Sequence, residues 1–285
     1  MATTGQLAER EESARPRLRR RPRAGGRPAW GDLLGRAGLG LVGVGIALGL
    51  WQLLSATRVL DPTAVPSMTH AFDSLGAALG TSKLWIGLEQ TLEGTALGFA
   101  LGVVAGVLVG TVLGLSETAF RSSFLVIEFF KAIPVITILP LAVLLFGTTL
   151  KMKVLLVVFG VFFPMVIQTI YGVRAVDPVI RDTARAFGLG RRARFVSVTL
   201  PSAAPYLATG IRLGATTALL LDIVAELVAG GSGLGLQILD GEAGGAISYS
   251  YALIIFTGIV GVVLVVGLTA VERRVLHWHE LYRGQ

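Results

Sequence analysis

The sequence predicts an all-α membrane protein with six transmembrane helices and a cytoplasmic loop of two short helices. Three observations predict it. Of 285 residues, 53% are hydrophobic and only 15% charged, with a mean hydropathy of +0.72, whereas soluble domains carry about 25% charged residues. Uncharged runs recur at the length of about 20 residues that a helix needs to cross hydrocarbon, where open loops and sheet edges cannot survive. The remaining charge, a net of +7, is concentrated in a few short segments.

The first element, residues 1–29, is an Arg-rich cytoplasmic tail with eight arginines against three glutamates, a net of +5. It is rich in Pro and Gly and poor in large apolar side chains, so it reads as disordered. Three readings compete for it, an orientation signal, a contact for anionic membrane lipid and a nucleic-acid arm; directly ahead of an apolar run, the orientation signal is the one expected. No folded basic module accompanies it, so no nucleic-acid partner is expected. The run that follows, Ala37–Thr57, is longer than the ~7–15 apolar residues of a signal peptide and reads as a retained span. Residues 30–285 form the transmembrane domain.

Further runs follow at Gly94–Ser116, Ala132–Leu150, Val154–Val173 and Ala243–Val271, with a mostly apolar stretch at about Tyr206–Gly230 broken by Arg212, Asp222 and Glu226. With the tail inside, segments 117–123, 174–205 and 272–285 are cytoplasmic. Segments 58–87, 147–153 and 231–249 are external. The 174–205 loop carries six arginines against two aspartates, a net of +4, while 231–249 carries only Asp240 and Glu242. Both termini are therefore expected in the cytoplasm. Lys151 and Lys153, at an outer end, are the discordant pair.

Within the second run, Gly94, Gly98, Gly102, Gly106, Gly110 and Gly114 recur every four residues. Such a stripe lets another helix approach closely, and intramolecular packing is its expected use. Pro134, Pro140 and Pro164 each remove a backbone donor inside a run and favour kinks; Pro134 is a candidate for a translocation pathway. Asp222 and Glu226, four residues apart, share one helix face. Carboxylates inside a membrane are functional candidates, so they join Pro134 there, with Arg212 or Lys151 as possible partners. The plainer expectation is a partly hydrated Glu226 near the outer end and an Asp222 bonded to a neighbouring helix.

The loop from Ala175 to Pro205 is too regular for a passive connection. Asp177–Pro178 supplies an N-cap and a first-turn proline, predicting a helix to about Phe187 that stops at Gly188. A second short helix is expected over about Arg191–Thr199, ending before Pro201. Cysteine is absent, which excludes disulfides, thiolate metal sites and thiol catalysis. His70, His277 and His279 do not cluster with carboxylates, so no metal site is expected. No G-x-x-x-x-G-K-[ST] phosphate loop occurs, so ATP should not bind this chain in the usual way. No set of nucleophile, base and acid suggests an enzyme.

The loop resembles the EAA motif of binding-protein-dependent ABC importer permeases: E-A-A, three residues, Gly, nine residues, I-x-L-P. Asp182, Thr183 and Ala184 stand at E-A-A, Gly188 at the glycine, and Val198-Thr199-Leu200-Pro201 at I-x-L-P. The spacing is kept, with Asp for Glu, Thr for Ala and Val for Ile. Lys131-Ala132-Ile133-Pro134, Leu139-Pro140-Leu141-Ala142, Tyr171-Gly172-Val173-Arg174, Ala225-Glu226 and Ser232-Gly233-Leu234-Gly235 are similar to the nitrate/sulfonate/taurine branch. The similarity covers about residues 83–280. It implies a type I importer permease that works with a second copy of itself or a close homologue, two ABC ATPase subunits and an extracytoplasmic solute-binding protein. ATP and Mg would be bound by the partner ATPase and no cofactor by this chain. Asp182, Thr183, Ala184, Gly188, Arg191, Val198, Leu200 and Pro201 would couple to that ATPase. The cargo would be a small anionic or zwitterionic solute, moved across the inner, cytoplasmic membrane. An ATP-independent carrier or channel is the alternative; inverted repeats would favour it, and none stands out.

Overall fold

The computed structural model describes residues 30–277 apart from 58, 60 and 62; the arginine-rich tail and His279 lie outside the described residues. In chain order the helices are α1 (Trp30–Ala56), α2 (Met68–Leu79), α3 (Ser82–Leu115), α4 (Glu117–Ala132), α5 (Leu139–Phe146), α6 (Leu150–Arg174), α7 (Pro178–Ala186), α8 (Arg191–Arg194), α9 (Leu200–Ala229), α10 (Leu234–Ala243) and α11 (Ile247–Val275). Among the described residues five stretches are long and apolar enough to cross a membrane, and a bent pair, taken as one span, brings the number to six. Segments 58–87 and 231–249, expected as external loops, contain α2 and α10.

The glycine stripe builds the centre. Gly98, Gly102, Gly106, Gly110 and Gly114 of α3 lie against Val157, Val161, Met165, Thr169 and Val173 of α6, one for one at four-residue spacing. The constant offset means the two helices run parallel, backbone nearly on backbone. This is the intramolecular use of the stripe, and bare glycine backbones are what permit such contact. The third central helix, α9, packs antiparallel on α6, with Gly172 against Ala203 at one end and Gly160 against Leu221 nearer the other. A second core of Leu75, Leu84, Leu234, Leu253 and Phe256 ties α2, α3, α10 and α11 together. Exposed apolar side chains such as Leu39 on α1 and Val262 on α11 face outward, where lipid is their natural solvent.

Two expectations are corrected. The run Ala132–Leu150 is not one straight span but the later arm of a broken one: α4, then a 3-10 turn over Val135–Ile138 and α5, with the arms bent by 83°. Pro134 drives Ile133 into an extended conformation (ψ 119°) and stops α4 there. Segment 117–123, expected as a loop, is the start of α4. Ser116 caps it by accepting from the Ala119 N–H at 3.3 Å, and Glu117 pairs with Arg121 and with Arg174. The second correction concerns Pro201. The short helix after Gly190 does not end before it; α8 runs through a π-turn, Phe195–Thr199, straight into α9. The Leu200 N–H reaches the Phe195 carbonyl five residues back, and this widened turn gives the proline ring the room a regular turn denies it.

Candidate functional site

Two groups of polar residues stand at opposite ends of the α3–α6 pair. At the arginine-rich end, α7 begins as the sequence predicts: Asp177 Oδ1 accepts from the Val179 N–H at 2.7 Å and Pro178 fills the first turn. The helix closes at Phe187, and Gly188 then takes φ +75°. That left-handed turn is the reason for glycine here, because open space surrounds its Cα and sterics alone would admit a side chain. Leu189 N–H returns to the Ala184 carbonyl at 3.1 Å, sealing the turn.

At about 100° per residue, Val179, Ile180, Thr183 and Phe187 share one face of α7. All four are exposed, and Phe187 is 80% exposed. Arg181 and Arg185 occupy the opposite face, while Ala184 is buried. Asp182 is exposed and pairs with Arg185 at 2.9 Å. Arg191, Leu200 and Pro201 are exposed and Val198 is half-buried along the helix that continues into α9. The eight loop residues singled out from sequence therefore lie on one contiguous projection, though not on one face of it.

The other end holds a buried charge cluster. Asp222 and Glu226 of α9 are fully buried, so Glu226 is not the partly hydrated group expected. Their cation is Lys153 of α6, neither Lys151 nor Arg212. Lys153 Nζ donates to Glu226 Oε1 at 2.5 Å and to the carbonyls of Gln90 and Ser232, each at 2.9 Å, and lies 3.6 Å from Asp222 Oδ1. The Thr91 hydroxyl donates to Glu226 at 3.0 Å and Thr95 to Asp222 at 3.0 Å. Gly235 N–H donates to Glu226 Oε2 and Leu234 N–H to Thr91 Oγ1, both at 2.9 Å. Arg212 instead meets Glu272 of α11 at 3.2 Å.

Glycines make this convergence possible. A side chain on Gly94 would collide with Lys153 and Asp222, and one on Gly233, which has φ +148°, would collide with the Glu226 carboxylate. Ser232-Gly233-Leu234-Gly235 thus wraps a buried carboxylate with backbone groups. Sequence reasoning named the two carboxylates and missed Lys153. The missing signal was its position: 153 begins the series 153, 157, 161, 165, 169, 173 that faces the glycine stripe, whereas Lys151 points the other way and is exposed. Pro134 is not in this cluster. It lies exposed at the break of the bent pair, its carbonyl accepting from Thr137.

Parallel glycine-packed helices, a broken span and a projecting loop define a multi-pass membrane protein of the permease type. Residues 102–277 match the binding-protein-dependent transport system inner membrane component family, and the chain belongs to that family. It is 28% identical over 239 residues to the taurine transport system permease protein TauC of Escherichia coli, covering 82% of this chain and 87% of that one. It is 25% identical over 225 residues to the nitrate import permease protein NrtB of Leptolyngbya laminosa, covering 77% and 80%. In fold it is similar to a chain of the MetNI methionine ABC transporter, with a TM-score of 0.57 at 22% identity over 68% of this chain and 95% of that one. The chain is a membrane subunit of a binding-protein-dependent transport system, with a fold similar to that of the MetNI chain.

Proposed function

We propose that this chain is the membrane-spanning half of an ATP-driven importer, receiving a small anionic or zwitterionic solute of the nitrate, sulfonate or taurine class from an extracytoplasmic binding protein. The observation that carries the reading is α7, which exposes Val179, Ile180 and Phe187 to solvent beside the Gly188 turn. An exposed apolar patch outside the hydrocarbon zone is a docking feature, and we assign it to a partner ATPase in the cytoplasm. Asp182, Thr183, Ala184 and Gly188 shape the docked helix. Arg191, Val198, Leu200 and Pro201 carry its movement into α9. On this reading the arginine-rich end is cytoplasmic, as are both termini, and the tail 1–29 is a separate segment ahead of the permease domain.

A second copy of the chain, or a close homologue, would cover the α4–α5 arm. Among its described residues α4 buries none, and Leu125, Phe129 and Leu144 are 78%, 65% and 81% exposed. Asp222 and Glu226 are assigned here as a lock on the outer end, because Lys153, the Thr91 and Thr95 hydroxyls and the Gly235 N–H already occupy them.

The test is reconstitution in liposomes with a cognate ATPase and binding protein, following labelled nitrate, taurine and an alkanesulfonate. Uptake of one of them that requires both ATP and the binding protein is the expected result. Equal uptake without ATP would instead establish the ATP-independent carrier.

A further inference from the structure

Between α7, α8 and the ends of α3 and α6 lies a cavity of about 510 Å3, a size typical of small-ligand sites. Four arginines line it: Arg181 and Arg185 from α7, Arg191 and Arg194 from α8. No carboxylate does. Asp182 neutralises Arg185 from the side, whereas Arg181, Arg191 and Arg194 have no acidic group within salt-bridge distance among the described residues. The nearby acids are already engaged, Asp177 in capping α7 and Glu117 with Arg121 and Arg174. Guanidinium groups gathered around one cavity repel one another, and a bound anion removes that repulsion. Their planar donor forks match phosphate oxygens two at a time.

The remaining lining gives the cavity a second character. Leu115, Val173 and Phe195 form apolar wall where the α3 and α6 spans end, so an anionic head can sit among the arginines while an attached chain follows the bundle. This arginine face is also the opposite side of α7 from Val179, Ile180 and Phe187. Occupation of the cavity therefore does not compete with a partner seated on the apolar face.

We propose that the four-arginine cavity binds a phosphate-type oxyanion, either free or as the headgroup of an anionic phospholipid. The inference stands on the cavity alone and does not depend on the ATPase reading, since its test uses the isolated chain.

The full chain, purified in uncharged detergent, is titrated with potassium phosphate against potassium chloride at equal ionic strength. In a second arm it is placed in nanodiscs of phosphatidylcholine with or without phosphatidylglycerol, and bound lipid is counted by native mass spectrometry. The variant is Arg181→Gln with Arg194→Gln. Its control is Arg121→Gln with Arg192→Gln, which removes the same charge outside the cavity. The substituted arginines are not buried, so folding should persist, and Arg181→Gln alone serves if the pair does not purify. In at least one arm, the cavity variant should weaken binding at least tenfold and the control less than twofold. Phosphate alone identifies a free anion, phosphatidylglycerol alone a lipid, and either supports the site. No binding by the parent in either arm, or equal weakening by the control, would overturn it.

Discussion

Replacing Lys153 by Met is the most demanding test of the buried cluster. Methionine keeps much of the length and apolar stem but removes the ammonium group. Three hydrogen bonds are lost at once, to Glu226 Oε1 and to the carbonyls of Gln90 and Ser232. Glu226 is left with the Thr91 hydroxyl and the Gly235 N–H, and Asp222 with the Thr95 hydroxyl. Both carboxylates stay fully buried with no cation. Removing one partner of a buried pair costs about 3–5 kcal/mol, because the other charge is stranded. The assay is unfolding in detergent micelles titrated with a denaturing detergent, followed by circular dichroism. Adding Glu226→Gln to Lys153→Met should recover part of the loss, with a coupling of about 0.5–3 kcal/mol. A loss under about 1 kcal/mol for Lys153→Met alone would refute the argument, since it would mean that water or rearrangement already serves these carboxylates.

Other outcomes follow from the same geometry. Gly106→Ala places a methyl 2.7 Å from Met165 Cβ and 3.0 Å from the Phe162 carbonyl, so it should destabilise by about 1–3 kcal/mol through overpacking. Gly258→Ala, with open space around it, should be neutral or stabilising in the same unfolding assay. Gly188→Leu forces a bulky side chain into a left-handed turn at about 1 kcal/mol. It should leave the bundle folded while abolishing solute-stimulated ATP hydrolysis by the reconstituted complex, and normal activity would detach this turn from coupling. Asp182→Ala removes only an exposed pair worth about 0–1 kcal/mol and should reduce that activity mildly. The parent has no cysteine, so single cysteines report sidedness cleanly. Glu242→Cys should react with an impermeant thiol reagent in intact cells and Arg192→Cys should not; the reverse pattern would invert the topology.

The parts of this fold that sequence reveals are those written in a fixed period. Six glycines at four-residue spacing announce a close helix contact, and Asp177-Pro178 with Gly188 announces both ends of α7. The bend at Pro134 was harder to read. Hydropathy sees only that Ala132–Leu150 is uncharged and is blind to direction, so an 83° break within an apolar region leaves it unchanged. Helix α10 was missed for a related reason, since ten residues are too few to register as a span. Lys153 was hidden by charge counting, which treats a lysine near an outer end as a solvated loop residue. Whether it is solvated depends on partners 63–79 positions distant in the chain, and no local pattern contains them.

The register of α3 on α6 joins these parts into one mechanical unit. Gly94 sits at the Lys153 cluster and Gly114 at Val173 beside the arginine cavity. Twenty residues of helix separate them, about 30 Å at 1.5 Å per residue. Every intervening glycine is in contact with α6, and added atoms there meet Cβ or carbonyl groups that cannot move aside cheaply. A contact this close resists sliding of one helix along the other, since a displacement of one residue would drive the α6 side chains against α3 side chains instead of bare backbone. On the proposed reading of α7 as a docking helix, a push on α7 and α8 at one end would be carried to the charge cluster at the other by this closely packed pair. The buried ions are suited to receive it: they fix α9 and the Ser232–Gly235 turn to that pair in one geometry, and movement of the pair must either carry those elements along or break the cluster.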